Sequence, residues 1–443
     1  MTDRKAAYNA LKRVWEGGYS TLALDAVLSA SDLDRRDRAF ASAIFYGVLE
    51  NADMLDYIIS KFTKVGSKIE KRARIILRMG LYQMIFMDKV PDSAAVNESV
   101  SLAKSVGLGR ASGFINAVLR SFIRAGKRCE LPSEEDNAVL HLSLKYSVPQ
   151  WLVEKWISDY GTDICKSVLG ELSGRPPLYV RMNSNRTNED DFLKSLEKND
   201  VKADGLTWLD GAYALEECGD IEEIDAFKDG LFHVQDAASQ LCCAVLEPQV
   251  GETVCDVCAA PGGKSFTLSE LLGESGRIYS HDIYENKVSV IKSGAKRLGL
   301  ENISASVRDA QNGSCDIKCD RVLCDVPCSG LGIIRRKPDI KNKNPLDLEE
   351  LPEIQFSILE NSAKLLRDGG VLVYSTCTLS HKENREVVER FLSAHHDFEP
   401  YPFDAPCERL CGEPEHMLTL FPHVLGTDGF FISRIRKKVL SDA

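Results

Sequence analysis

Two cysteines sit where a reactive thiol is useful. Cys328 falls in Asp325-Val326-Pro327-Cys328-Ser329-Gly330 and Cys377 in Ser375-Thr376-Cys377-Thr378, each just beyond a short apolar run of the kind that forms a buried strand. A thiolate is a strong, soft nucleophile and a tolerable leaving group, so such a position suits covalent catalysis. A lone cysteine is more often a small buried hydrophobe. Here two of them end neighbouring strands, with Asp325 in the same turn as Cys328 and Lys264 at a third strand end. Cys377, Cys328, Asp325 and Lys264 are therefore read together as the catalytic set.

An earlier strand, TVCDV, runs into Cys258-Ala259-Ala260-Pro261-Gly262-Gly263-Lys264. A tight turn of small residues between strand and helix lets a ligand approach the backbone. The dinucleotide fingerprint G-x-G-x-x-G is absent, and Lys264-Ser265 lacks the glycine spacing of a P-loop. The next strand ends at Asp282, 20 residues after Gly262, where an acid accepts the two ribose hydroxyls of an adenosine. The strand after that leads to Asp309, placed to meet an adenine amino group. Three acids at three successive strand ends converge on one crevice.

These residues need a frame. From 246 to 443 the runs TVCDVCAA, GRIYSHD, ISASV, CDRVLCDV and GGVLVYSTC alternate with helical or turn-rich stretches, which predicts a parallel sheet covered on both faces, a Rossmann-like α/β domain. FFISRIRK near the end reads as an antiparallel edge strand. Residues 138–245 mix a long helix over 150–172, the strand PLYVRMN, a polar helix near 188–198 and short strands, a small α+β module. Residues 1–130 are helical throughout. Val96, Val100, Ala103 and Val106 make one apolar stripe, and Phe114, Val118 and Phe122 another. The polar stretch near 128–137 is a linker.

At 443 residues, with 44% hydrophobic and 27% charged residues, the chain is of ordinary globular composition. It has no apolar run of the roughly 18 residues that span a bilayer, and its start lacks a continuous apolar core, so no membrane segment or signal peptide and a cytoplasmic location are expected. Its 14 cysteines are scattered. Cys255 and Cys258 form a C-x-x-C with no second pair, so no metal site is expected. The net charge of −11 is unevenly spread. Residues 1–130 carry 21 Lys and Arg against 14 Asp and Glu, a net of +7, and the remainder 34 against 52, a net of −18. That asymmetry suits a basic nucleic-acid-binding module joined to an acidic enzyme. Arg335-Arg336-Lys337, just after the Cys328 turn, reads either as a phosphate contact or as a solvated turn.

CAAPGGK, DVPCSG and YSTCT, in this order and spacing, resemble motifs I, IV and VI of the RNA (cytosine-C5) methyltransferases. Amino-group methylases tend to carry an N/D-P-P-Y-type motif where this chain has D-V-P-C. The resemblance extends to FHVQDAASQL and HVLGTDGFF, and residues 1–130 look like a NusB-type RNA-binding domain. That fusion is characteristic of enzymes acting on small-subunit ribosomal RNA. The resemblance implies S-adenosylmethionine as cofactor, with Cys258, Ala259, Ala260, Pro261, Gly262, Gly263 and Lys264 around its methionine part. Asp282 would hold the ribose with help from Lys287, Asp309 would face the adenine, and Asp325 would stand between cofactor and base. Cys377 would attack C6 of the cytosine and Cys328 would assist release. Whether Lys264 meets Asp325, the base or the cofactor stays open. The implied partner is 16S ribosomal RNA or an early small-subunit particle, met by a monomer. Two other readings remain: the same chemistry on tRNA, and a non-catalytic RNA-binding assembly factor.

Overall fold

The structure, a computed structural model, describes residues 1–174, 176–216, 218–313 and 317–439. They fall into two compact units: Met1–Gly174 with Ile334–Lys343, and Arg175–Ile333 with Asn344–Ala443.

The first unit is all helix. Helices Asp3–Trp15, Arg35–Glu50, Lys71–Phe86, Asp92–Ser105 and Ser112–Arg124 surround a core that includes Leu11, Ile44, Phe45, Leu77, Ile115 and Phe122. Side chains close exposed helix starts: Thr2 accepts from the Lys5 amide, Asp34 from that of Asp37 and Asn137 from that of Leu140. The expected long helix over 150–172 is two, Gln150–Tyr160 and Thr162–Gly170, parted at Gly161, whose φ of +83° no helix continues through. They group with the helical unit, as does the decapeptide Ile334–Lys343. In that decapeptide Lys341 is buried and donates to the carbonyls of Glu50 (2.5 Å) and Ser147 (2.6 Å), while Asp339 accepts from the Ser20 hydroxyl (2.5 Å). Arg335 lies 3.8 Å from the Glu171 carboxylate.

The second unit holds two sheets. Strands β1 (Leu178–Met182), β2 (Lys202–Gly205), β3 (Ala212–Glu216) and β4 (Phe232–Val234) form an antiparallel sheet in the order β2-β3-β1-β4. Helix Glu189–Glu197 seals it through Phe192 and Leu196. The larger sheet contains β5 (Thr253–Asp256), β6 (Arg277–Asp282), β7 (Ile303–Val307), β8 (Cys319–Asp325), β9 (Leu366–Thr376), β10 (Phe398–Pro400), β11 (Met417–Leu420) and β12 (Phe430–Lys437). Its order is β10-β12-β9-β8-β5-β6-β7, with β11 also paired to β12. Strands β5 to β9 are parallel. The chain runs outward from β5 through β6 and β7, then returns to lay β8 and β9 on the other side. The strand order reverses there, and the crevice beyond the carboxyl ends of β5 and β8 is where such sheets take ligands.

The last strand corrects one expectation. β12 is antiparallel, but it is not at the edge: it lies between β9 on one side and β10 and β11 on the other. Its first six residues are all buried, so both faces are covered.

Candidate active site

β5 ends in Asp256 and turns through Gly262 into helix Gly263–Leu272. Gly262 has φ +114°, and a Cβ there would lie 2.4 Å from the Phe266 ring, so no other residue fits. Beside this turn is a cavity of about 210 Å³ lined by Cys258, Ala259, Ala260, Pro261, Gly263, Lys264 and Asp325 of the expected set, together with Gln235, Ser239 and Asp256. Asp256 is fully buried; burial pushes its carboxyl up to about 7, against the hydrogen bond it accepts from the Ser265 hydroxyl (2.7 Å). A wider groove of about 790 Å³ lies at the opposite end of the sheet, beside Arg277 and Asn302, far along the strands from the glycine turn.

Asp282 ends β6, is buried, and accepts from the Tyr284 amide (3.1 Å), with Lys287 Nζ 3.8 Å from the same oxygen. Among the described residues no protein donor meets its other oxygen. Asp309 follows β7, and its own turn engages it: one oxygen accepts from the Gln311 amide (2.8 Å), the other from Asn312 Nδ2 (3.1 Å). Those bonds hold its carboxyl below the usual range. Asp282, Lys287 and Asp309 thus share the carboxyl end of the sheet with the cavity without lining it.

Lys264 Nζ donates to Asp325 Oδ2 (2.7 Å) and to the Ser239 hydroxyl (3.2 Å), and stands 5.3 Å from the Phe430 ring centre. Asp325 Oδ1 accepts from the Ser375 hydroxyl (2.7 Å). Burial alone would lower the Lys264 ammonium, but the Asp325 carboxylate outweighs it and holds it well above the ordinary lysine value. In this structure Lys264 meets Asp325.

β8 and β9 are parallel neighbours in which Asp325 faces Ser375, so the turns beyond them lie side by side. Cys328 and Cys377, both half-buried, have their sulfurs 3.2 Å apart. The hydrogen bond to Cys377, followed by burial, pushes the Cys328 thiol well above its ordinary value. Either sulfur can donate to the other across this contact. The pair can share one proton and present one thiolate. Sequence reasoning passed over Ser239, Ser375 and Phe430. All three lie within stretches the sequence singled out, Ser375 two residues before Cys377, Ser239 in FHVQDAASQL and Phe430 in HVLGTDGFF, but only packing brings the last two to the site.

A parallel sheet reversing at β5, a glycine turn after that strand and a buried acid ending the next define the class of S-adenosylmethionine-dependent methyltransferases. The turn fits the cofactor because Gly262 and Gly263 open the backbone and the Asp282 carboxylate keeps an oxygen for a hydroxyl donor. Comparisons with known proteins agree. The family described as 16S rRNA methyltransferase RsmB/F matches residues 243–436, the NusB family matches 1–124, and the RsmF/B-like ferredoxin-like domain matches 148–222. The chain is 37% identical to a probable ribosomal RNA small subunit methyltransferase B of Bacillus subtilis over 98% of both chains. It is 34% identical to a protein of the same description from Synechocystis over 95% of both. Among solved structures, PH0851 is 25% identical with a TM-score of 0.82, covering 98% of each chain. NSun6 from Pyrococcus horikoshii, solved with the S-adenosylmethionine analogue SFG, shares the fold at 22% identity and a TM-score of 0.60, over 65% of this chain and 98% of that one. The chain belongs to the RsmB/F methyltransferase family, with an N-terminal NusB domain, a ferredoxin-like middle domain and a C-terminal methyltransferase domain. Its cofactor is S-adenosylmethionine.

Proposed function

We propose that this chain methylates C5 of a cytosine in 16S ribosomal RNA through a covalent bond between Cys377 and C6. The observation that carries this reading is the pair of thiols 3.2 Å apart beside the Lys264–Asp325 ion pair. Residues 258–264 hold the methionine part of the cofactor, Asp282 the ribose with Lys287 beside it, and Asp309 the adenine end. Bound there, S-adenosylmethionine supplies a methyl group made electrophilic by its sulfonium.

C5 of cytosine is a poor nucleophile because ring delocalisation spreads its electrons. Addition of the Cys377 thiolate to C6 forms an S–C6 bond and leaves C5 as the carbon of an enamine. Negative charge grows toward N3. The Lys264 ammonium, held firmly protonated by Asp325, stabilises that charge without giving up its proton. Asp325, an acceptor at the same edge, suits the exocyclic amino group. Bonding Cys377 to carbon removes any thiolate charge on its sulfur and so weakens the interaction that chiefly raised the Cys328 thiol. Cys328 then releases its proton to solvent, takes the C5 proton, and the returning electrons expel Cys377 as a thiolate. The base must be unpaired or drawn out of its stack to reach these groups.

RNA is engaged by the NusB domain. Lys61, Lys64, Lys68 and Lys71 are all exposed, Glu70 is the single acid among them, and they cluster between and beside helices Ala52–Lys61 and Lys71–Phe86. The deciding experiment compares two variants on 16S ribosomal RNA. Cys377→Ala should transfer no methyl group and form no adduct. Cys328→Ala should remain bonded to methylated RNA as a slow band on a denaturing gel that needs S-adenosylmethionine and disappears in the double variant. Normal turnover by Cys377→Ala would overturn the assignment, and trapping by Cys377→Ala would exchange the two roles. Bisulfite sequencing of ribosomal RNA with and without the gene identifies the cytosine.

A further inference from the structure

The sheet alone does not hold either cysteine turn. β8 stops at Asp325 and β9 at Thr376, so Cys328 and Cys377 both lie past the last strand residues. The residues on either side of each cysteine are instead tied to one short segment, Glu383-Asn384, just ahead of helix Arg385–Ala394. Glu383 is 3% exposed. Its carboxylate accepts from the Ser329 amide (2.8 Å), the Ser329 hydroxyl (2.5 Å) and Gln355 Nε2 (3.0 Å). Gln355 Nε2 also donates to the Pro327 carbonyl (3.0 Å). A carboxylate has no proton to give, so the Ser329 hydroxyl hydrogen points to Glu383, and the Thr378 hydroxyl, 2.6 Å away, must be the donor to Ser329 Oγ. Asn384 accepts from the Thr376 hydroxyl (2.5 Å) and donates to the Thr378 carbonyl (2.8 Å). Residues 327 and 329 thereby bracket Cys328, 376 and 378 bracket Cys377, and all four are joined through 355, 383 and 384. Directly between the turns, the Gly332 amide donates to the Cys377 carbonyl (3.1 Å).

We propose that Glu383 is a positioning residue that fixes the separation of the Cys328 and Cys377 sulfurs: its carboxylate clamps the Cys328 turn, and the Ser329–Thr378 bridge and the adjoining Asn384 carry that hold to the Cys377 turn. A side chain that merely filled this space would be apolar, like Val387 and Val388 beside it. A fully bonded polar network is directional, and it holds one geometry where apolar packing tolerates several. The catalytic consequence rests on the reading that both cysteines act; the clamp itself does not.

The test uses the full-length protein. Diamide oxidises the two thiols to a disulfide at a rate set by their effective concentration. Glu383→Gln places an amide NH2 among the donors of Ser329 and Gln355. It should slow formation of the Cys328–Cys377 disulfide at least roughly tenfold, followed by mass spectrometry of unreduced peptides. It should lower kcat by roughly 100-fold, with KM and S-adenosylmethionine affinity unchanged. Thr378→Val, nearly isosteric, removes only the bridge to Ser329 and should move both rates in the same direction by less; it decides the matter should Glu383→Gln not fold. Val388→Ala, which weakens the same neighbourhood without touching the clamp, should leave both rates at the wild-type level. The proposal is overturned if neither clamp variant slows the disulfide, or if Val388→Ala slows it equally. Should Cys377→Ala prove active, the catalytic reading fails while the diamide rates still report on the clamp.

Discussion

Asp282 shows how much a single residue contributes when it is buried and half-engaged. One oxygen serves the Tyr284 amide, and the other is the one we propose for the ribose. Asp282→Ala should weaken S-adenosylmethionine binding by about 1–3 kcal/mol, the usual effect of deleting a buried hydrogen-bond partner, and calorimetry checks it. Unchanged affinity would remove Asp282 from the cofactor site. At this scale the sequence was informative wherever a candidate residue ends or directly follows a strand, because an apolar run followed by a polar turn marks both the strand and its exit. Cys328, Cys377, Asp325 and Asp282 were all visible that way. Glu383 was not. It sits in HKENRE, a charged stretch before a helix that reads as solvated, and only folding brings Ser329 and Gln355 against it.

Strands were legible where they form apolar runs and harder to place where charged residues interrupt them. The five parallel strands announced themselves as apolar runs, whereas β12 reads as an edge because its alternating Arg434 and Arg436 suggest a wet face. Arg434 is in fact buried, with its guanidinium against the Val245 carbonyl and the Tyr401 ring. In the helical domain the second apolar stripe was set partly out of phase: Phe114 is 39% exposed, and Ile115 occupies the core instead. The decapeptide Ile334–Lys343 could not be placed from its sequence, since a lysine gives no hint of burial. Burial lowers Lys341 from 10.5 to about 8, against the raising pull of Asp53 and Glu50. Between about pH 8 and 10.5 the unfolded chain carries a proton on this lysine that the native state lacks, so the lysine's contribution to stability rises with pH across that window and is lost as pH falls through 8. Lys341→Met abolishes the titration. Denaturant unfolding at both ends of the window should show wild type gaining on the variant by on the order of 2 kcal/mol. A constant difference would mean that Lys341 titrates normally.

Across the whole molecule, the charge asymmetry is the feature composition reveals best and net charge hides. Residues 1–130 carry the positive excess, and their exposed lysines are its densest part. Reversing Lys64 and Lys68 to Glu should weaken RNA binding about equally for all sequences. It should also flatten the dependence of log affinity on log salt by about one per lysine lost as a phosphate contact. Filter binding across a salt series measures both, and an unchanged slope would place the phosphate contacts elsewhere. The three-part organisation was readable from changes of periodicity. The decapeptide that returns to the helical unit was not, because covalent order conceals it. That return has a consequence for the protein's birth. A nascent chain leaves the ribosome from its first residue, yet the helical unit lacks the donor for the Glu50 and Ser147 carbonyls until Lys341 emerges, about 170 residues after Gly174. At ordinary elongation speeds that is a wait of roughly ten to thirty seconds. The N-terminal unit, first to be translated, cannot be completed until strands β5 to β8 have been made.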